Sequence, residues 1–218
     1  MSVTSDITLY TDNTPNGAKP PILLEELGLP YKLEHLSIQS GRQKEDVFDS
    51  GAILLYLAQW YDTEGKFSYA PGTSEYYEQL SWISWQIGGL GPKAGQALAF
   101  AAFAPVRSDY AIEKFLAETK NLLGVLEYRL KESPYLAGDK YTIADIASFP
   151  WVFQGADALD IGLAEWPHAK KWVEKIVQRP AVQKGLATPT PPFTADEFRA
   201  FCRTQRAAVL AKENTDKH

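Results

Sequence analysis

Residues 7–38, ITLYTDNTPNGAKPPILLEELGLPYKLEHLSI, decide the architecture. Ile7 to Thr11 are β-branched, apolar or aromatic and give way to Asp12-Asn13 and Asn16-Gly17, the pattern of a short strand ended by a turn. Ile22, Leu23, Leu24, Leu27 and Leu29 follow at helical spacing, and Gly28-Leu29-Pro30 stops that helix. From Tyr31 to Ile38 the pattern alternates imperfectly, with Tyr31, Leu33 and His35 on one face and Lys32, Glu34 and Leu36 on the other, so a second strand is expected. Strand, helix and strand in so short a stretch make a βαβ unit, whose two strands run parallel.

Downstream the character changes. Gln39 to Asp46 are polar, and Ala52 to Trp60 form an apolar helix behind Asp49-Ser50. Beyond Ser74 only helical patterns remain, over about Ser74–Ala104, Asp109–Leu130, Thr142–Leu159, Pro167–Arg179 and Thr194–Ala211. The turn Tyr69-Ala70-Pro71-Gly72 separates the two parts. The fold class is therefore α+β overall and mostly helical, with an α/β module over residues 1–65, an all-α domain over 72–190, and a C-terminal helix and frayed tail over 191–218. Thr142-Ile-Ala-Asp145 has the form of a capping box, with Asp in place of Glu or Gln. Gly88-Gly-Leu-Gly-Pro92 inside a helical pattern predicts a kink at the proline and a close approach of another backbone at the glycines. Pro20 disfavours helical geometry at Lys19, which would displace the start of the first helix.

Composition narrows the classes of function. The 218 residues carry 22 basic and 27 acidic side chains, a net charge of −5, which argues against nucleic acid as a partner. Hydrophobic residues at 45% and charged residues at 22% are those of a chain that builds a core. One cysteine excludes an internal disulfide, and with three histidines it cannot make a usual zinc site, so no metal is expected. The longest apolar stretch, Ala97 to Val106, is far short of the ~20 residues that span a bilayer. The first six residues lack the basic stretch and apolar run of a signal peptide. A cytoplasmic protein of a reducing compartment is expected.

The words of the sequence then sharpen the reading. Thr14-Pro-Asn-Gly17, Leu24-Glu-Glu-Leu-Gly-Leu-Pro30, Ser50-Gly-Ala-Ile-Leu-Leu-Tyr-Leu57, Trp85-Gln-Ile-Gly-Gly-Leu-Gly-Pro92 with Gly95-Gln96, and Tyr135-Leu-Ala-Gly-Asp-Lys-Tyr-Thr-Ile-Ala-Asp-Ile146 occur in this order. Together they resemble the glutathione S-transferase superfamily, in the nu-class branch related to the yeast nitrogen-catabolite regulator. The resemblance covers about Ile7 to Arg179. It implies a thioredoxin-like module followed by the all-α C-terminal domain of that family, and a homodimer. There is one departure. Family members place a further helix, and a hairpin opened by a cis-proline, before the turn that corresponds to Asp49-Ser50. Here only Gln39 to Phe48 fill that space, with no proline between Tyr31 and Trp60. Two strands of ~5–6 residues, a turn and a helix do not fit into ten residues, so the module is expected to be truncated.

The resemblance also assigns roles. Asn16 and then Thr14 match the positions that face the sulfur of glutathione; on their own, Thr-Pro-Asn-Gly residues also read as a turn and helix cap. Asp49, Ser50 and Gly51 match the γ-glutamyl site, Ser50 for the carboxylate and Asp49 for the ammonium; read alone they are an N-cap. Tyr10 is a rival thiolate donor but reads better as a core position, and Cys202 as a buried inert thiol. His35 and His168 have no evident acid partner. Trp82, Trp85, Tyr76 and Phe100 read as core by spacing, and by resemblance as the wall of a cavity for a hydrophobic electrophile. Gln96, Arg107 and Arg129 are further candidate ligand contacts. The expected function is thiol activation of glutathione, as co-substrate, for conjugation to an electrophile or for disulfide exchange, in detoxification or in secondary-metabolite biosynthesis. The alternative is a non-catalytic scaffold or regulator, favoured by the missing hairpin.

Overall fold

The computed structural model describes residues 6–36, 48–104, 106–191, 193–194, 196–197 and 200–207. Strand β1 (Thr8–Thr11) pairs in parallel with β2 (Lys32–His35), Thr8 opposite Lys32 and Thr11 opposite His35, with helix α1 (Lys19–Leu27) between them in sequence. No further strand occurs among the described residues, so the sheet has two strands. The ten-residue replacement expected at Gln39–Phe48 lies outside them except for Phe48. β1 alternates, with Leu9 and Thr11 buried, whereas every residue of β2 is exposed. Tyr10, expected in the core, is 49% exposed. Only β1 turns side chains into the core, and among the described residues no further strand covers the sheet.

Helix α1 begins at Lys19 itself, so the displacement expected from Pro20 does not occur. Both prolines fall in its first turn, where an amide hydrogen has no helical partner to lose. Gly28 closes the helix in the left-handed conformation at φ 64°, and the amide of Leu29 reaches back to the carbonyl of Leu24. Helix α2 (Ser50–Tyr61) follows, buried through Leu54, Leu57 and Ala58.

The helical part opens with one long irregular helix. α3 (Ser74–Trp85) widens into a π-helical turn at Gln86–Leu90, continues as α4 (Gly91–Leu98), and widens again at Ala99–Phe103. Pro92 is the second residue of α4, so the expected break takes the form of a π turn that absorbs the missing hydrogen bond. Gly91 and Gly95 make room for the indole of Trp151, each ideal Cβ lying 3.4 Å from that ring. A side chain, not the expected backbone, comes close there.

Helices α5 (Asp109–Glu132), α6 (Ile143–Ala158) and α7 (Pro167–Val177) complete the core around Leu123, Leu126, Ile146, Phe149 and Trp172. At the start of α6, Asp145 is fully buried. It accepts from the amides of Thr142 at 2.9 Å and Leu136 at 3.1 Å and from Trp172 Nε1 at 2.9 Å. Burial pushes its carboxyl up to about 6 against those donors. The Thr142 hydroxyl accepts from the amide of Ala144, one residue earlier than the capping-box pattern predicts.

A seventh helical stretch, α8 (Pro180–Leu186), is not legible in the sequence, being too short to repeat a pattern. It lies against α1 so tightly that a Cβ on Gly185 would fall 2.6 Å from the Ile22 backbone. Arg179 grips Glu26 with two of its guanidinium nitrogens, Nε at 2.6 Å and Nη2 at 2.8 Å. The connection between α2 and α3 is equally tied. Asp62 accepts from the amides of Lys66 and Phe67, each at 2.8 Å, and Lys140 donates to the carbonyls of Gly65 and Ser68 at 2.7 and 2.6 Å. Of the expected C-terminal helix, residues 196–197 and 200–207 are helical; the tail beyond lies outside the described residues. No helix among the described residues is long and apolar enough to cross a membrane.

Candidate functional site

The turn from β1 into α1 is built around Gly17. The Asp12 carbonyl would stand 2.0 Å from a Cβ there, so no other residue fits without moving the turn. Thr11 Oγ1 donates to the Gly17 carbonyl at 2.8 Å, and Thr14 Oγ1 accepts from the Gly17 amide at 2.9 Å. Thr14 is thus the local cap of the turn, its hydroxyl hydrogen still available as a donor. Asn16 projects from the same turn and is exposed. Its Oδ1 accepts from Trp151 Nε1 at 2.8 Å, across the boundary to α6.

That contact fixes the polarity of Asn16. An indole nitrogen can only donate, so it takes up the amide oxygen and leaves the Nδ2 hydrogens facing outward, just ahead of the N-terminus of α1. Trp151 is held by Gly91 and Gly95 on one side and lies 3.6 Å from an ideal Cβ on Gly155. The Gly-Gly-x-Gly-Pro word of the long helix therefore shapes the seat of the indole that orients Asn16.

Asp49, Ser50 and Gly51 come together at the N-terminus of α2. Asp49 has φ 71° and ψ 123°, an unfavourable conformation for a residue with a Cβ, of a kind that costs ~1–3 kcal/mol and clusters at ligand sites. Its Oδ1 accepts from the Gly51 amide at 2.9 Å and the Ala52 amide at 3.3 Å. Asp49 therefore takes the amides of Gly51 and Ala52, where the sequence reading had the ligand using those left over by the cap. Among the described residues the Ser50 amide has no such partner. Gly51 packs against Ile87, whose terminal methyl would have to move aside for a Cβ, 2.1 Å away. Behind Ser50 stands Lys19, only 1% exposed. Its ammonium donates to Ser50 Oγ at 3.1 Å and to Gln86 Oε1 of the first π turn at 2.6 Å. Burial lowers its pKa to about 7, with the charge of Asp49 opposing.

The remaining candidates fall elsewhere. His35 and His168 both have acid partners, Asp12 at 3.0 Å and Glu127 at 2.6 Å, which the sequence did not reveal because the pairs join distant segments. Cys202 is half-buried, and burial raises its thiol above the ordinary range. Arg107 pairs with Asp109 at 2.7 Å on the exposed surface, and Arg129 with Glu78 at 2.6 Å. Trp82, Trp85, Tyr76 and Phe100 are half-buried, with Trp82 and Trp85 edge to face at 5.1 Å. The segment after α8 returns to the turn, where Asn13 Nδ2 donates to the Pro191 carbonyl at 3.1 Å. Among the described residues no cluster of His, Cys, Asp and Glu could hold a metal. Sequence reading missed Trp151, Lys19 and Gln86. The spacing Gly91–Gly95, one helical turn apart, was the available signal for a large ring seated there.

A parallel βαβ unit joined to a helical part capped by a buried Thr-Ile-Ala-Asp network is the layout of the glutathione S-transferase family, and the chain belongs to it. Residues 92–180 match the family described as glutathione S-transferase, C-terminal domain. The chain is similar to the disulfide-bond oxidoreductase YfcG of Escherichia coli, 39% identical over 207 residues, covering 83% of this chain and 94% of that protein. It is also similar to a glutathione transferase homologue of Lodderomyces elongisporus, solved with two glutathione molecules per subunit (36% identity, TM-score 0.80, 85% of this chain and 99% of that one). A third relative is the transferase URE2P6 of Phanerochaete chrysosporium, solved with oxidized glutathione (35% identity, TM-score 0.76, 96% and 100% covered).

Proposed function

We propose that the protein binds glutathione as a thiolate at Asn16 and Thr14 and uses it for disulfide exchange. The observation that carries this is the Trp151–Asn16 hydrogen bond, which turns the amide hydrogens of Asn16 toward the place a thiolate would occupy. The α1 N-terminus adds a favourable potential, and together they lower a thiol's pKa. Ser50 and its amide receive the γ-glutamyl carboxylate, Gly51 lets the α2 N-terminus come close to Ile87, and Asp49 faces the ammonium with its second oxygen.

The chemistry needs no protein cysteine. The bound thiolate attacks one sulfur of a disulfide, the S–S bond breaks, and the released thiolate takes a proton. A second glutathione attacks the mixed disulfide, giving oxidized glutathione and the second thiol. The name of YfcG and the oxidized glutathione in the fungal relative support this over conjugation. Conjugation of a hydrophobic electrophile along the wall of Trp82 and Trp85 is the second reading, and a homodimer in the cytoplasm is the working assembly. A scaffold without catalysis is favoured by one observation alone, the two-stranded sheet.

Two measurements test the reading. Millimolar glutathione at a hundredfold over its Kd adds ~2.7 kcal/mol, raising the Tm by roughly 5–10 °C. Turnover of a mixed disulfide of glutathione and 2-mercaptoethanol, coupled to glutathione reductase, should fall at least ~100-fold in Asn16→Ala. A sharp melt with no shift, and no turnover, would leave the scaffold standing.

A further inference from the structure

Lys19 is among the largest fully buried side chains of the described residues, and its ammonium bonds Ser50 and Gln86 with no carboxylate among the described residues bonded to it directly. It opens α1, where the helix dipole opposes a positive charge, and its ammonium touches the first residue of α2. Neither helix has an acidic residue in its first turn. Among the described residues a buried cation so placed is poorly compensated: Asp49 is the titratable group whose charge it feels, while α2 and the π turn offer the neutral Ser50 and Gln86.

The arrangement repeats the logic of Trp151 and Asn16. A serine hydroxyl can donate or accept, whereas an ammonium only donates. With Lys19 donating to Ser50 Oγ from behind, the hydroxyl hydrogen is left to point at the ligand, beside the Ser50 amide. We propose that Lys19 is the positioning residue of the carboxylate subsite: it sets Ser50 as a donor and supplies the buried positive charge that an incoming carboxylate neutralises.

The inference rests on the glutathione reading above and adds a consequence. Burial holds the Lys19 ammonium near neutrality, so an anion that favours its charged form is bound together with a proton. Affinity for the carboxylate then falls as pH rises above about 7.

The test uses S-hexylglutathione, whose blocked thiol cannot contribute a proton, titrated calorimetrically into the full chain at pH 6.0 and 8.5. Two buffers of different ionisation enthalpy report the protons exchanged. The wild type should bind about tenfold more weakly or worse at pH 8.5 and take up close to one proton at intermediate pH. Lys19→Met should bind at least ~10-fold more weakly at pH 6.0 with no pH slope; Lys19→Arg should lose the slope while keeping more of the affinity. Lys19→Met in a Ser50→Ala background should cost less than it does alone, because the lysine acts through that hydroxyl. Wild-type binding with no proton uptake and a flat profile overturns the proposal without any variant, as does a folded Lys19→Met that binds like wild type. If S-hexylglutathione does not bind the wild type at either pH, the glutathione reading fails and the proposal fails with it.

Discussion

The two parts of the molecule solve the same problem with unequal means. The helical part encloses a buried carboxylate, Asp145, in a ring of donors and covers it with Trp172 and Phe149. The βαβ unit has two four-residue strands, one of them exposed along its length, and draws its order from α8 and α2 pressed on α1. Yet the weaker part carries the groups proposed to touch glutathione, Asn16, Thr14 and Ser50. The hydrogen-bonding direction of Asn16 is set across the boundary by Trp151 on α6, and that of Ser50 by Lys19 of α1, which Gln86 braces from across the boundary. The rigid part thus supplies much of the orientation, and the slight part the contacts.

That asymmetry can be broken in a graded way. Asp145→Ala should have the largest effect, leaving buried amides and the Trp172 indole without an acceptor. A loss of about 4 kcal/mol or more is expected, lowering the Tm by at least ~10 °C in a calorimetric scan. Gly185→Ala comes next: the methyl has to displace the Ile22 backbone, at a cost of about 2–3 kcal/mol. Hydrogen exchange should then quicken first in α1 and β1; uniform loss across the chain would contradict the dependence of the βαβ unit on α8.

A further effect belongs to pH. The Lys19 ammonium titrates near 7 in the folded chain and at 10.5 unfolded, so the unfolded state binds more protons between those values. The contribution of Lys19 to stability therefore rises with pH from about 7 to about 10.5, and the unliganded wild type measured against Lys19→Met should show that slope in urea titrations. Lys140→Met should cost only ~1 kcal/mol, read by faster limited proteolysis between residues 62 and 70. Leu33→Thr, on the exposed strand β2, should stay within about 0.5 kcal/mol of wild type by thermal melt. A large loss there would mean that β2 is covered in solution.

What the sequence displayed was whatever repeats or caps. The helices from Ser74 onward, the parallel pair around Ile7 and Leu33, and the Thr142–Asp145 cap are local patterns of 3.6, 2.0 and three residues. The turn of Thr14 to Gly17 and the Asp49-Ser50 cap were legible for the same reason. Trp151, Lys19 and Gln86 were not, because their importance lies in pairings 135, 31 and 67 residues apart. Tyr10 misled because alternation marks a strand but does not tell whether both its faces are covered. His35 and His168 misled likewise, their acids lying 23 and 41 residues away.

The fastening between α2 and α3 bears on how such a chain changes over generations. Lys140 holds the carbonyls of Gly65 and Ser68, and the amide of Ile143 holds that of Phe67, so the seam belongs to the helical part and not to what precedes it. A deletion upstream of Asp62 leaves every one of those bonds intact. The lineage can lose or regain length between β2 and α2 without renegotiating how the two halves meet, which makes this stretch a place where the family can experiment.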